Sequence, residues 1–511
     1  MIISRRAFLG SGAGVLAAAA GIPSLSFGAP GAKRPNILFL MADQFRPDCI
    51  AATGNSAIRT PHLDRLAREG VHFSQAYSST PTCTPARSAL LTGLSPWRHG
   101  MLGYGRVGEK YPIEMPRVLA ESGYYTTGIG KMHWHPQRNA HGFHKVILDE
   151  SGRAESPEFR SDYRAWFASQ APNLDPDATG VGFNDYLAKE YALPEELHPT
   201  AWTGEIARRF LQTYERAEPF FLKVSFARPH SPYDPPKRFM DLYRDASLPP
   251  AIAGDWAAGF KPRSGPEDSI WHGDLGADIV HHSRAGYYGS VTFIDEQIGR
   301  ILETLESRDL LEQTLIVFTS DHGDMLGDHH LWRKSYAYDA SARIPLLMRC
   351  PESLSSIQRG RVLSQPVELR DILPTFMEAA EAGGAETLDG RSLLQLARGD
   401  SDGWRDVIDL EHDICYDPSN HWNALTDGRM KYIYHAQQGE EQLFDLEKDP
   451  HELTDLSGDS SHAATLRTWR TRLTEHLSER GEPFVRNGEL VPRPERHLYS
   501  PNYPGCSCHP K

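Results

Sequence analysis

Apolar residues occur along most of the chain in short continuous runs, with little strict alternation between apolar and polar positions. Five of these runs predict buried strands, at residues 36–41, 125–129, 220–226, 314–319 and 344–348. Such runs are typical of parallel strands that are covered on both faces. Helical patterns lie between them, at 61–69, around 88–91, at 115–122 and at 294–305. Strands that alternate with helices predict an α/β fold, in which helices sandwich a large, mostly parallel sheet.

The pattern changes after about residue 395. Two strand-like pieces within 423–435 flank Asp427 and Gly428, a dipeptide that favours a hairpin turn. A further strand is predicted at 442–446, and an amphipathic helix follows at 463–477. These elements predict a smaller α+β subdomain that contains an antiparallel sheet.

The amino terminus has the features of an export signal. Arg5 and Arg6 form the paired arginines of a Tat signal, and a weakly apolar stretch rich in Ala and Gly follows at 8–22. The alternative is a membrane anchor, but a short stretch of small residues favours a signal that is removed. We therefore expect export by the Tat machinery to the periplasm or beyond, without stable membrane insertion. The predicted organisation is a cleaved signal (1–32), a catalytic domain (33–395), the C-terminal subdomain (396–490) and a tail that wraps the surface (491–511).

Composition limits the classes of partner. The chain has 511 residues and a formal net charge of −13, and an acidic balance argues against a nucleic-acid partner, which needs a basic face. A local cluster of cations can still hold a small anion inside an acidic protein. The pairing of the cysteines stays open. Cys506, Cys508 and His509 make only a weak metal motif, because no second pair accompanies them, and a thiol pair or a link to a distant cysteine is the better interpretation.

Polar residues with metal-binding atoms directly follow two of the predicted strands. Asp43 and Gln44 follow the first strand, and Asp321 and His322 follow the fourth. Because ligands bind beyond the carboxyl ends of parallel strands, these side chains can converge on one divalent cation. The alternative is that each aspartate only caps the next helix or turn.

Two longer motifs bear on this choice. Residues 81–93 contain a Cys-x-Pro-x-Arg core that begins at Cys83, and residues 123–133 form a second stretch that ends in Lys131 and His133. In this order, they resemble the signatures of the type I, formylglycine-dependent sulfatases of the alkaline phosphatase superfamily. The alternative for Cys83 is a small buried core residue, which the combined pattern disfavours.

The resemblance implies a metal site and a modified cysteine. The family's metal ligands fall on Asp43, Gln44, Asp321 and His322, together with Cys83 once the formylglycine-generating enzyme has converted it to formylglycine. The Asp-Gln and Asp-His pairs look more like those of choline sulfatases and phosphonate monoester hydrolases. The family implies one Ca²⁺, whereas an imidazole ligand also suits Mn²⁺, and Mg²⁺ is a further alternative.

The resemblance also implies catalytic roles. Arg87, Lys131 and Lys334 would stabilise charge on the sulfuryl oxygens. His230 or Lys334 would protonate the leaving alcohol. His133 would take a proton from the second hydroxyl of the hydrated formylglycine, so that a covalent sulfo-enzyme hemiacetal collapses and releases sulfate.

Other readings of these residues remain open. On spacing alone Arg333 competes with Lys334 for the sulfate, and Lys334 is compatible with a solvated surface lysine. His230 is compatible with a turn histidine between prolines. Four more histidines lie near the motifs and suit either the pocket or the surface: His135, His141, His329 and His330.

These observations predict a sulfatase that hydrolyses a sulfate monoester. A sulfated carbohydrate is the leading substrate class, and an aryl or alkyl sulfate is the alternative. A second hypothesis is a phosphonate or phosphate ester hydrolase of the same superfamily, because the same groups serve phosphorus. A third is a non-catalytic protein that binds sulfated glycans, which would have no need of the nucleophile.

Overall fold

The computed structural model describes residues 34–413 and 415–504. The predicted signal over 1–32 and the Cys506–Cys508 pair lie outside the described residues, so export by the Tat machinery stays a prediction from the sequence. The strands are β1 Asn36–Asp43, β2 Val71–Phe73, β3 Ala76–Tyr77, β4 Tyr125–Gly130, β5 Lys145–Leu148, β6 Phe220–Pro229, β7 Thr314–Ser320, β8 Leu346–Arg349, β9 Arg361–Leu363, β10 Val367–Glu368, β11 Ile408–His412, β12 Trp422–Thr426, β13 Met430–His435, β14 Glu440–Asp445, β15 Val485–Arg486 and β16 Glu489–Leu490. The α-helices are α1 Pro61–Glu69, α2 Cys83–Thr92, α3 Pro96–His99, α4 Met115–Glu121, α5 Asp162–Gln170, α6 Pro199–Thr213, α7 Lys237–Met240, α8 Ala277–Ser307, α9 Asp339–Ala342, α10 Ile372–Ala379, α11 Leu393–Ala397 and α12 Ala463–Ser478.

A sheet of eight strands forms the centre of the molecule. Its order is β5-β4-β6-β1-β7-β8-β2-β9, and its neighbouring strands run parallel except where β8 pairs with β7 and β2. All five predicted strands lie in this sheet, and the predicted large, mostly parallel sheet is confirmed.

Helices cover both faces of the sheet, as the unbroken apolar runs predict. Alternate side chains of β1 enter two separate cores: Phe39 packs on the side of α2, α4 and α10, and Leu40 packs on the side of α1, α6 and α8. Helix α8 begins well before the predicted 294–305. Its first half contains Gly286 and Gly289, which weaken the apolar periodicity but allow close packing against neighbouring chain.

The predicted C-terminal antiparallel sheet is also confirmed, in the order β11-β12-β13-β14. One face packs against α12, and the other packs against the loop that follows β7, where Tyr336 and Tyr338 are buried. Lys431 of β13 ties the two parts together, because its Nζ lies 2.5 Å from Asp339 Oδ1 and 2.7 Å from Glu452 Oε1. The subdomain therefore supports the loop that carries Lys334.

Parallel strands bring their carboxyl ends to one edge of the sheet. Asp43 ends β1, Lys131 follows β4, His230 follows β6 and Asp321 follows β7. The shared edge places four of the candidate residues on one side of the molecule.

Two negative findings concern the described residues. Across residues 34–413 and 415–504, we find no helix with the length and apolarity needed to cross a bilayer. Four cysteines in the same part of the chain have free thiols: Cys49, Cys83, Cys350 and Cys415.

Candidate active site

A cluster of potential metal ligands lies at the shared strand edge. Each of Asp43, Cys83, Asp321 and His322 presents a ligand atom within 4.8 Å of the others, and all four are buried. The Cys83 Sγ atom is 3.2 Å from His322 Nε2 and 3.9 Å from Asp43 Oδ1. The Nδ1–H group of His322 donates to the Gly323 carbonyl at 2.9 Å, which turns Nε2 toward the cluster.

Helix α2 places Arg87 on the same side as Cys83, because residues four apart share one face of a helix. The Nε of Arg87 donates to Asp321 Oδ2 at 3.0 Å, and its Nη2 donates to Asp43 Oδ2 at 2.9 Å. Its Nη1 donates to the Lys131 carbonyl at 2.6 Å. One guanidinium therefore holds the ends of three strands in register.

Contacts with the loop after β7 fix the start of α2. Ser335 donates its backbone N–H to the Pro81 carbonyl at 2.9 Å, and its hydroxyl lies 2.6 Å from the Thr82 hydroxyl. This pairing brings Lys334, the residue before Ser335, next to the cysteine. Arg333 instead donates to the Ser269 and Ile270 carbonyls, so it points away from the cluster.

Buried cations determine the charge state of the site. The Nζ of Lys131 lies 2.6 Å from Asp43 Oδ2. Burial raises the pKa of the Asp43 carboxyl, but neighbouring cations, led by Lys131, outweigh it and hold that pKa well below its usual value. Burial also raises the pKa of the Cys83 thiol, but Lys334 and Lys131 help to bring it down to about 7. The site is therefore built to hold negative charge.

Gln44 connects the cluster to a residue that the sequence analysis missed. Its Oε1 accepts a hydrogen bond from Lys334 Nζ at 2.8 Å, and its Nε2 donates to Asp324 Oδ2 at 2.5 Å. Asp324 also accepts from the Tyr233 hydroxyl at 2.7 Å and from the Arg333 backbone N–H at 3.0 Å. Asp324 therefore orients the amide of Gln44, and its place three residues after Asp321 was the available sequence signal.

Two histidines flank the cluster with one ring nitrogen unpartnered among the described residues. His230 donates its backbone N–H to the Asp43 carbonyl at 3.0 Å and its Nδ1–H to the Ser231 carbonyl at 2.9 Å, and its Nε2 is buried without a partner. Burial, and to a smaller extent the positive charge of Lys334, lowers the pKa of His230 well below its usual value. The ring is therefore neutral near pH 7, with its lone pair on Nε2.

His133 is held in a similar state. Glu150, which the sequence analysis did not single out, accepts the backbone N–H groups of Met132 and His133 at 2.9 and 3.0 Å. Burial and then Arg153 lower the pKa of His133 well below its usual value, and its Nδ1 is buried without a partner in the described part of the chain. His133 is therefore placed to accept a proton.

A cavity of about 980 Å³ opens at Thr84, the residue that directly follows Cys83, and is also lined by Tyr104, His133 and Arg153, among others. Tyr104 and Arg153 lie in irregular loops without a motif, so sequence reasoning had no signal for them. Of the four histidines whose sequence context suits either the pocket or the surface, only His135 lines this cavity. His141 is hydrogen-bonded to Glu114, His329 packs against Trp256, and His330 lies near Asp274.

Comparisons with known proteins agree with this geometry. A family model described as Sulfatase matches residues 35–382, and one described as N-sulphoglucosamine sulphohydrolase, C-terminal, matches residues 327–479. An arylsulfatase of Clostridium perfringens is 38% identical over 471 residues, which cover 90% of this chain and 97% of that protein. A choline-sulfatase of Rhizobium meliloti is 31% identical over 440 residues, which cover 83% of this chain and 82% of that protein.

A solved structure shows the same relationship. The phosphonate monoester hydrolase of Agrobacterium radiobacter matches with a TM-score of 0.73 at 27% identity, over 87% of this chain and 96% of that one. The predicted similarity to choline sulfatases and phosphonate monoester hydrolases is thereby confirmed. The chain belongs to the sulfatase family of the alkaline phosphatase superfamily and is a hydrolase of sulfuric esters.

Proposed function

We propose that the protein hydrolyses a sulfate monoester of a carbohydrate with a nucleophile formed at Cys83. One observation carries this proposal: a fully buried thiol lies among the side chains of Arg87, Lys131 and Lys334. Asp43 and Asp321 offset two of these three buried positive charges, and burying the third is costly unless it meets a further negative charge. A bound sulfate group would supply that charge directly over the thiol position.

Four side chains fit a divalent cation. Asp43 and Asp321 offer carboxylate oxygens, His322 offers Nε2, and Gln44 Oε1 already faces a cation, the Lys334 ammonium group. A donor set rich in oxygen favours Ca²⁺, and the imidazole keeps Mn²⁺ and Mg²⁺ as alternatives. When bound, the ion supplies positive charge for the oxygens of the nucleophile and the sulfuryl group.

The remaining residues surround the position of the nucleophile. Formylglycine, made from Cys83 by the formylglycine-generating enzyme, supplies a hydrated aldehyde oxygen. Arg87 cannot swing away, because it is bonded to two carboxylates and a carbonyl, and it keeps its charge beside that oxygen. Lys131, which follows the carboxyl end of β4 at the same edge of the sheet, contributes a second fixed charge. His133 Nδ1, neutral and unpartnered among the described residues, accepts a proton as the product is released.

The proton for the leaving alcohol comes from Lys334 in this arrangement. His230 is neutral and already uses its Nδ1 proton in the bond to Ser231, so its Nε2 can only accept. The amino group of Lys334 carries hydrogens and lies at the same end of the site. His230 Nε2 would then accept a hydrogen bond rather than donate one.

Lys334→Ala is expected to lower kcat/KM by about 10³-fold for an alkyl sulfate but only by about tenfold for 4-nitrophenyl sulfate. The alkoxide needs a proton in order to leave, whereas 4-nitrophenolate leaves without one. His230→Ala is the matched comparison and should show a much smaller dependence on the leaving group. Equal losses on both esters in Lys334→Ala would rule out Lys334 as the proton donor.

The size and lining of the cavity favour a substrate whose alcohol part is a ring. A volume of about 980 Å³ next to Cys83 exceeds the needs of one small alcohol and suits one or two rings. The Clostridium relative is named for aryl sulfates and the Rhizobium relative for choline sulfate. We place a sulfated sugar first because the polar and charged lining offers several hydrogen-bonding groups, and we keep aryl and alkyl sulfates as alternatives.

The preference for sulfur over phosphorus is the direct test of the proposed function. The measurement is kcat/KM for 4-nitrophenyl sulfate and for 4-nitrophenyl phenylphosphonate, with protein co-expressed with formylglycine-generating enzyme and Cys83→Ala as the blank. We expect the sulfate to be hydrolysed faster. Faster turnover of the phosphonate would keep the site assignments but overturn the substrate, and binding without turnover of either ester would favour the non-catalytic hypothesis.

A further inference from the structure

One wall of the cavity beside Cys83 comes from the end of the chain. Tyr499, Tyr503 and Pro504 line the same cavity as Thr84 and His133. Because Thr84 directly follows the cysteine, these tail residues border the space that the alcohol part of a substrate must enter. From the sequence, the tail was predicted only to wrap the surface.

The backbone of the tail is fixed to the loop that follows α3. The Leu102 backbone N–H donates to the Leu498 carbonyl at 2.9 Å, and the Ser500 backbone N–H donates to the Gly100 carbonyl at 2.8 Å. These two bonds lie on either side of Tyr499, so they set the position of its ring.

The hydroxyl groups of the two tyrosines hold Arg106 from both sides. Tyr499 Oη accepts the backbone N–H of Arg106 at 2.8 Å, and the Tyr503 hydroxyl donates to the Arg106 carbonyl at 2.6 Å. The two rings pack together, with their centroids 4.1 Å apart and their planes at 32°. The tail therefore presents a paired aromatic surface and also positions the loop opposite.

Three glycines of that loop leave the room that the tail occupies. A Cβ atom would lie 2.3 Å from Tyr503 Cα at Gly100, 2.5 Å from Tyr499 Oη at Gly105 and 2.9 Å from Pro504 Cγ at Gly108. Contacts that close exclude side chains at these positions unless the tail moves. The tail can therefore lie this close to the loop only because these three positions are glycine.

The same cavity carries charge that the catalytic cluster does not use. Arg106 and Lys110 line it and are exposed, and their side chains have no ion-pair partner among the described residues. Arg153 lines it as well and has a buried Nη1 without a partner within that part of the chain. Two acids, Glu109 and Glu155, also line the cavity, and Glu155 accepts the backbone N–H of Gln137.

We propose that the tail builds the subsite for the leaving alcohol. Tyr499 and Tyr503 form an aromatic wall against which the ring of the alcohol packs, and Arg106 and Lys110 receive a second negative charge on that ring. This inference rests on the proposed function and names its substrate class: a sulfate ester of a ring that bears another anionic group, such as an acidic sugar.

The test of the aromatic wall separates binding of the ring from binding of the sulfate. The variants are Tyr499→Leu, Tyr503→Leu and a truncation after Leu498, and the matched control is Pro501→Ala, an exposed tail residue outside the cavity lining. For 4-nitrophenyl sulfate we expect KM to rise about tenfold with kcat within about twofold. The inhibition constant of inorganic sulfate, which has no ring, should stay unchanged. An unchanged KM, or a parallel rise in the inhibition constant for sulfate, would overturn the proposal.

The test of the second charge compares 4-nitrophenyl sulfate with 4-carboxyphenyl sulfate. Arg106→Ala and Lys110→Ala should raise KM several-fold for the carboxyphenyl ester alone, and an equal change for both esters would contradict the assignment.

Binding keeps the proposal testable even without turnover. On a Cys83→Ala background, the Kd of 4-carboxyphenyl sulfate measured by calorimetry should rise about tenfold in Tyr499→Leu. A wild-type protein that turns over no ester would refute the proposed function, whereas an unchanged Kd would refute the role of the tail.

Discussion

Replacement of Cys83 by serine is expected to lower steady-state turnover of 4-nitrophenyl sulfate by at least about 10³-fold. Serine keeps the size of the residue and its place at the start of α2, but it has only one hydroxyl group. A sulfate ester on that oxygen has no second hydroxyl whose deprotonation could expel sulfate, so the first turnover would be the last. The measurement is steady-state turnover together with the intact mass of the protein, which should show one added sulfuryl group.

Cys350→Ser is the matched control for this experiment. Cys350 is also a buried free thiol, but it belongs to the apolar core on the face of the sheet that α2, α4 and α10 cover. We expect this variant to keep its activity, with at most a modest loss of folding stability. Near-normal steady-state activity in Cys83→Ser would end the assignment of Cys83 as the source of the nucleophile.

The sequence predicts that the Asp43–Gln44 and Asp321–His322 pairs converge. It does not predict which strands are neighbours in the sheet. The apolar runs before Asp43 and Asp321 indicate two buried parallel strands, whose ends must share an edge. Only the structure shows that these strands are direct neighbours, with Ala42 level with Ser320. This register brings the Gln44 backbone N–H within 3.0 Å of Asp321 Oδ1. The order of strands in a sheet depends on long connections that leave no local pattern.

Residues that act from irregular loops escaped prediction for the same reason. Glu150 and Arg153 follow a short edge strand, β5, and belong to no motif, yet one positions His133 and the other adds positive charge beside it. Tyr499 lies about 400 residues from the loop it packs against. A side chain whose partners are that distant can be assigned a role only when the fold is known.

An acidic protein can concentrate positive charge at one point because the fold buries the cationic side chains there, away from the acidic surface. The net charge is −13, yet Arg87, Lys131 and Lys334 all face one buried thiol. Each is held by a carboxylate or an amide oxygen from a strand end, so the cations are fixed before substrate binds. Fixed charges need no reorganisation during the reaction, which is the main source of electrostatic catalysis.

Asp321→Asn is expected to remove most of the bound metal and to lower turnover by about 10²- to 10⁴-fold. The substitution takes away one of two carboxylates in the ligand cluster and leaves Arg87 with a single anionic partner. Metal content per protein, measured by plasma emission after gel filtration, should fall well below that of the wild type. A chelator should lower the Tm of the wild type but leave that of the variant unchanged, because only a bound ion stabilises the fold by mass action.

Asp328→Asn controls for the loss of a buried ion pair. Asp328 is also buried, and it pairs with Arg46 at 2.9 Å and Arg284 at 2.7 Å, outside the ligand cluster. Breaking such a pair costs about 3–5 kcal/mol of unfolding free energy, so both variants should lose stability. Only Asp321→Asn should also lose the metal, because only its carboxylate faces Cys83 and His322. Full metal occupancy in Asp321→Asn would show that the ion is held elsewhere and that Asp321 serves chiefly to anchor Arg87.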